Sequence, residues 1–146
     1  MIKLYTVGFT KKTSEVFFNL LIDNNIEKLI DIRESNTNIY AGFTMKQNFS
    51  YFLDKIAGIK YVEMKELAPS KDHRVEYHKD KINNWDAYED NYLKLLDERK
   101  VKSVLSKELL NNSVLLCSEP TPEKCHRRLA AQYIKSIFKD VEIIHL

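Results

Sequence analysis

The sequence predicts an α/β fold: a mostly parallel sheet flanked by helices on both faces, Rossmann- or flavodoxin-like in kind. Three observations predict it. Short β-rich runs alternate with longer stretches of helical periodicity from end to end. The chain opens β-α-β, with a helix long enough for a parallel crossover. One run, Ser113-Val-Leu-Leu-Cys117, is apolar almost throughout, as a strand covered on both faces must be.

Ile2-Lys-Leu-Tyr-Thr-Val7 is short, β-rich and partly alternating, which predicts a strand. Gly8-Phe-Thr10 turns the chain. Thr13 or Ser14 caps a helix whose apolar residues Val16, Phe17, Leu20 and Leu21 share a face, and Asn24-Asn25 ends it. Lys28-Leu-Ile-Asp-Ile32 is the second strand. Arg33 to Thr44 has no period and is read as loop. Met45 to Ala57 is helical, with Phe49, Phe52, Leu53 and Ile56 as its stripe and Gly58 as its C-cap. Ile59-Lys-Tyr-Val-Glu63 is the third strand.

Met64 to Asn84 is polar and irregular and holds Pro69, His73, Arg74, Tyr77 and His78. Such a segment is read as solvated loop, with a lid as the alternative. Trp85 to about Leu110 is helical with a break near Lys100. Trp85, Tyr88, Tyr92, Leu95 and Leu96 have helical spacing, and the aromatics at that spacing are read as core rather than as stacking platforms. Ser113 to Cys117 is the central strand. Ser118 to Lys124 is a turn with two prolines. Cys125 to Phe138 is a helix presenting Leu129, Ala130, Tyr133, Ile134 and Ile137 to the core, and Val141-Glu-Ile-Ile-His145 is the last strand.

A chain of 146 residues has the usual size of one domain, so residues 1–146 are expected to share one core. Three Gly and three Pro argue against a repeat, fibrous or disordered chain. Two cysteines are too few for a disulfide framework. No apolar run approaches the ~20 residues that cross a bilayer, and the N-terminus lacks the pattern of a signal peptide. A cytoplasmic protein with reduced thiols and no membrane partner is expected. The net charge of +2 permits an anionic partner without demanding one.

In open parallel sheets, ligands bind in the crevice beyond the carboxyl ends of the strands. Three polar clusters fall there: Gly8-Phe-Thr10, Asp31-Ile-Arg33 and Cys117-Ser-Glu119. They meet in space if their strands are neighbours. Cys125 opens a helix, where the positive end of the dipole favours thiolate, and His126, Arg127 and Arg128 add positive charge. A thiolate is what a cysteine nucleophile requires. The competing reading is a buried cysteine acting as a small hydrophobe.

The strand–Cys117–loop–helix order rhymes with phosphatase and rhodanese loops. Glu119, Glu123 and two prolines suit an anion loop poorly, and ten residues from Cys117 to Arg127 is too long for one. The cysteine spacing is not that of a zinc knuckle, so neither a metal nor any other cofactor is expected. Glu119 is an acid/base candidate or an ion-pair partner of Arg33 or Arg127. Arg33 contacts a ligand or pairs internally with Asp31 or Glu119.

Four segments, Tyr5-Thr-Val-Gly-Phe-Thr10, Leu29-Ile-Asp-Ile-Arg33, Leu115-Leu-Cys-Ser-Glu119 and Cys125-His-Arg-Arg128, occur in the order that resembles the DUF488 family. The resemblance spans Tyr5 to His145. It implies a compact α/β domain in which Arg33, Cys117, Glu119, Cys125, His126 and Arg127 belong together, and it implies no settled activity. Two positions depart from the family pattern. The first motif usually reads Thr-Ile-Gly-His-Ser, and the histidine position is Phe9 here, which argues against a side-chain base at that point. The proline that commonly follows Arg33 is replaced by Glu34-Ser-Asn.

The function expected is an enzyme acting on a small anionic or nucleotide-like substrate. Its catalytic candidates are Cys117, Glu119, Cys125 and His126, and its substrate-binding candidates are Gly8, Thr10, Arg33 and Arg127. Two alternatives stay open: a non-catalytic module associated with nucleic acid, whose affinity would fall steeply with salt, and a thiol redox sensor built on Cys117 and Cys125.

Overall fold

A computed structural model describes residues 1–71, 85–119, 121–123 and 125–146 of the protein. Among these residues five strands form one parallel sheet: β1 (Ile2–Gly8), β2 (Lys28–Asp31), β3 (Lys60–Glu63), β4 (Ser113–Cys117) and β5 (Val141–His145), in the order β3-β2-β4-β1-β5. The helices are α1 (Ser14–Asp23), α2 (Lys46–Phe52), α3 (Trp85–Glu98), α4 (Lys107–Leu110) and α5 (His126–Ile137). No helix among the described residues is long and apolar enough to cross a membrane.

β4 is central and buried along its whole length, which explains its unbroken apolar run. Its alternate side chains enter two cores. On one face Leu4, Ile30 and Leu115 pack against Tyr92 and Leu96 of α3 and Leu129, Ala130 and Ile134 of α5. On the other, Val7, Leu29, Val114 and Leu116 pack against Phe17 and Leu21 of α1 and Phe49 and Leu53 from the second helical segment. Each fully buried Leu or Phe contributes about 1.5–3 kcal/mol over its exposed state, so the two faces hold the sheet like a filling. The expected α/β architecture is therefore present.

Local signals set the element ends. The Thr13 hydroxyl accepts from the Val16 amide at 3.2 Å and starts α1, and Asn24 closes it. The stretch read as one helix from Met45 to Ala57 is α2 followed by one wide π turn, Leu53–Ala57, ended by Gly58 at φ 64°, a left-handed angle that suits glycine. The break expected near Lys100 is real. Lys100 is left-handed, the 3-10 turn Val101–Val104 follows, and α4 resumes after it.

Several expectations need correction. Val16 and Ile56, assigned to buried stripes, are about half exposed, while Phe18 of α1 is buried. The wide turn after α2 rotates Ile56 off the core face. Part of the segment read as loop, Ile39–Thr44, is a 3-10 turn whose first amides are capped by the Asn38 side chain. His73, Arg74, Tyr77 and His78 lie outside the described residues.

Candidate functional site

The parallel register brings the three polar clusters together. Gly8 lies opposite Cys117, and Asp31 lies opposite Leu116, so β1 and β2 flank β4 on its two sides. The loops beyond the strands are tied as well: the Thr10 amide donates to Ser118 O at 3.1 Å, and the Ile32 amide donates to Leu116 O at 3.3 Å.

Over these strand ends opens a cleft of about 490 Å³. Thr10, Arg33, Cys117, Glu119, Cys125 and His126 line it, six of the eight residues singled out from the sequence. Gly8 and Arg127 lie behind the wall. Aromatic rings that sequence reasoning did not assign to a site complete the cleft: Phe9, Tyr40, Trp85 and Tyr88. Trp85 and Tyr88 stack on each other with centroids 5.1 Å apart. They are one turn apart at the start of α3, and the helical period that marks that helix does not separate its core positions from those at a cleft mouth. Tyr92, one turn further on, sits in the core and donates to Leu67 O.

At the floor lie Cys117, Cys125 and His126, each under a tenth exposed. Cys117 ends β4. Cys125 is the N-cap of α5 but makes no side-chain cap bond, and its sulfur lies within 4.8 Å of the Cys117 sulfur. The Cys117 sulfur is 3.2 Å from His126 Nδ1, and His126 Nε2 is 2.9 Å from Ile32 O. A carbonyl oxygen only accepts, so Nε2 carries a proton. Nδ1 therefore either accepts the Cys117 proton or, once protonated, donates back to a thiolate.

Burial pushes the Cys117 thiol up. The bond from the Cys125 thiol, the Ser118 and Glu119 amides aimed at the sulfur and the Arg127 charge outweigh it and hold Cys117 below the ordinary thiol value. Cys125 moves the opposite way. Donating its proton to Cys117 and its own burial raise it well above the ordinary range. Cys117 therefore gives up its proton more readily than Cys125.

Arg33 is spoken for. It is 3% exposed, holds both carboxylate oxygens of Asp31 at 2.9 Å, and donates to Thr44 Oγ1 and O. Its guanidinium also lies 5.4 Å from the centre of the Phe9 ring, so Phe9 braces the arginine through a cation–π contact. Asp31 accepts further from Asn36 and, at 2.6 Å, from Tyr61. Burial would raise the Asp31 carboxyl, but the Arg33 bonds and charge together with the Tyr61 hydroxyl keep it below its usual value. Thr44, Asn36 and Tyr61 carry no local sequence signal for this role, because they reach Asp31 only through the fold.

Arg127 is fully buried. Its Nη1 donates to Glu119 O at 2.9 Å, whereas Nε and Nη2 have no partner among the described residues. Glu119 thus meets Arg127 through its backbone carbonyl, and its side chain is exposed at the cleft. Gly8 is squeezed between these groups. A Cβ on it would lie 1.6 Å from Glu119 O and 2.4 Å from Arg127 Nη1, so no larger residue fits without moving the backbone.

Fold and cleft together define a parallel α/β protein with a cysteine–cysteine–histidine cluster at the carboxyl ends of its strands. The chain belongs to the DUF488 family: the family model, described as a domain of unknown function, matches residues 13–134, most of the sequence. No curated protein and no solved structure matches the chain.

Proposed function

We propose that the cleft is the active site of an enzyme that uses Cys117 as nucleophile on a small anionic or nucleotide-like substrate. The observation that carries this is the Cys117 sulfur 3.2 Å from His126 Nδ1 at the floor of an open cleft, in surroundings that hold its thiol below the ordinary value. His126 takes the thiol proton at Nδ1 while Ile32 O fixes the ring. The amides of Ser118 and Glu119 and the N-terminus of α5 favour negative charge at the reacting centre. Glu119 supplies a carboxylate at the cleft for proton transfer. Thr10 and the charge of Arg127 behind the wall favour an anionic group, and the aromatic wall of Phe9, Tyr40, Trp85 and Tyr88 offers faces to a planar one.

Iodoacetate tests this reading, being small, anionic and electrophilic. The Cys117 sulfur forms a bond to its carbon and iodide leaves. The expected result is saturable inactivation at Cys117, faster relative to neutral iodoacetamide than for a free thiol, and absent in Cys117→Ser. Non-saturable kinetics with no preference for the anion would overturn it.

One observation favours a second reading. The thiol–thiol contact of Cys117 and Cys125 is what a redox sensor requires, and mild oxidant would then give a reversible disulfide between them with retained fold.

A further inference from the structure

The floor of the cleft also has the composition of a metal site. The Cys117 and Cys125 sulfurs and a ring nitrogen of His126 all lie within 4.8 Å of one another, and all three residues are buried. A tetrahedral zinc ion bound at about 2.3 Å to sulfur and 2.0–2.1 Å to nitrogen needs ligand–ligand edges of roughly 3.5–3.8 Å. The Cys117–His126 edge is 3.2 Å and must open by a few tenths of an ångström, while the other two edges, within 4.8 Å, need at most about 1 Å of closure. The ligands come from ordered elements: the last residue of β4, and the N-cap and first residue of α5.

A second observation is independent of the cluster itself. His126 Nε2 is anchored on the Ile32 carbonyl, which leaves Nδ1 facing Cys117. Ligating histidines are oriented in just this way, their other nitrogen donating to a carbonyl or carboxylate. All three residues also face the cleft, so a fourth coordination position is open to water or to a small ligand.

We propose that Cys117, Cys125 and His126 bind a zinc-class divalent ion, with the fourth position open to the cleft, and that this ion competes with electrophiles for Cys117. On binding, the proton on Cys125 and any proton shared by Cys117 and His126 leave to solvent, so two thiolates neutralise the dication. The competition rests on the reading of Cys117 as nucleophile; the binding does not. Soft thiolate ligands with imidazole suit zinc over magnesium or calcium.

The test uses the full chain after chelator treatment, with Co²⁺ as spectroscopic probe and Zn²⁺ as competitor. Co²⁺ should give a saturable thiolate-to-metal charge-transfer band and tetrahedral ligand-field bands, both removed by added Zn²⁺. Cys125→Ser and His126→Gln should each weaken Co²⁺ binding by about 100-fold or more, and folding of each variant is checked by circular dichroism. In the wild type, Zn²⁺ should protect both cysteines from alkylation and chelator should restore the reactivity of Cys117. Absence of the charge-transfer band in wild type, or its survival in folded Cys125→Ser/His126→Gln, overturns the site. A reactive Cys117 in protein that binds no Co²⁺ sinks the metal alone. An inert Cys117 in protein that binds Co²⁺ sinks the nucleophile and the competition, and leaves the binding site standing.

Discussion

Replacing Gly8 with alanine probes how the site is built, because one methyl group reaches both the sulfur's amide donors and the buried arginine. The added Cβ would sit 1.6 Å from Glu119 O and 2.6 Å from Glu119 C, against an ordinary contact of about 3.4 Å. Glu119 is held by its backbone, so the strain cannot be relieved by rotating a side chain. Overpacking of this kind costs about 1–3 kcal/mol. Moving Glu119 O also breaks the bond that the buried Arg127 makes to it, a bond to a charged group worth about 1.5–3 kcal/mol. Together the loss is about 2.5–6 kcal/mol, a large part of the roughly 5–15 kcal/mol typical of a domain. Urea unfolding followed by circular dichroism measures it. The same displacement pulls the Ser118 and Glu119 amides from Cys117, so alkylation of folded Gly8→Ala should slow. A variant within about 0.5 kcal/mol of wild type, with unchanged Cys117 reactivity, would refute this account of Gly8.

Other perturbations separate the anchor from the chemistry. Arg33→Met leaves Asp31 buried without its cation and should cost about 3–5 kcal/mol in urea unfolding. Tyr61→Phe removes the 2.6 Å bond to Asp31 and should cost about 1.5 kcal/mol in the same assay. The folded Asp31 carboxyl lies below its unfolded value of about 3.9, so its contribution is complete above that pH and is lost as pH falls through the folded value. An acid titration by circular dichroism should show this loss in wild type and a flatter profile in Asp31→Asn. His126→Gln should slow alkylation of Cys117 by about 100-fold at pH 7, the low end of what a positioned proton acceptor supplies.

Much of the fold is written locally. β4 and β5 run over the residues the sequence predicts, because an apolar run and a short β-branched run bounded by polar residues have few alternatives. Thr13 and Gly58 mark helix ends through capping chemistry confined to a few residues. The grouping of Cys117, Cys125 and His126 is implied by the family resemblance, and their sulfurs and ring nitrogen do lie within 4.8 Å of one another. The sequence leaves Arg33 open to a ligand, to Asp31 or to Glu119. Arg33 is two positions beyond Asp31, but only the turn after β2 shows that the fork closes on that carboxylate. The aromatic wall and the Asn36–Tyr61–Asp31 bonds depend on contacts between distant segments, which no periodicity encodes. Ile56 misled because a wide turn breaks the 3.6-residue period on which its assignment relied.

The central claim is that the fold activates Cys117 and not Cys125. Alkylation of chelator-treated protein by iodoacetamide at pH 7, resolved by mass spectrometry and compared with the unfolded chain, tests it most directly. The account predicts that Cys117 in the folded protein reacts faster than in the unfolded chain, while Cys125 reacts only after unfolding. Equal protection of both cysteines until the protein unfolds would contradict it and return Cys117 to the core as a packing residue.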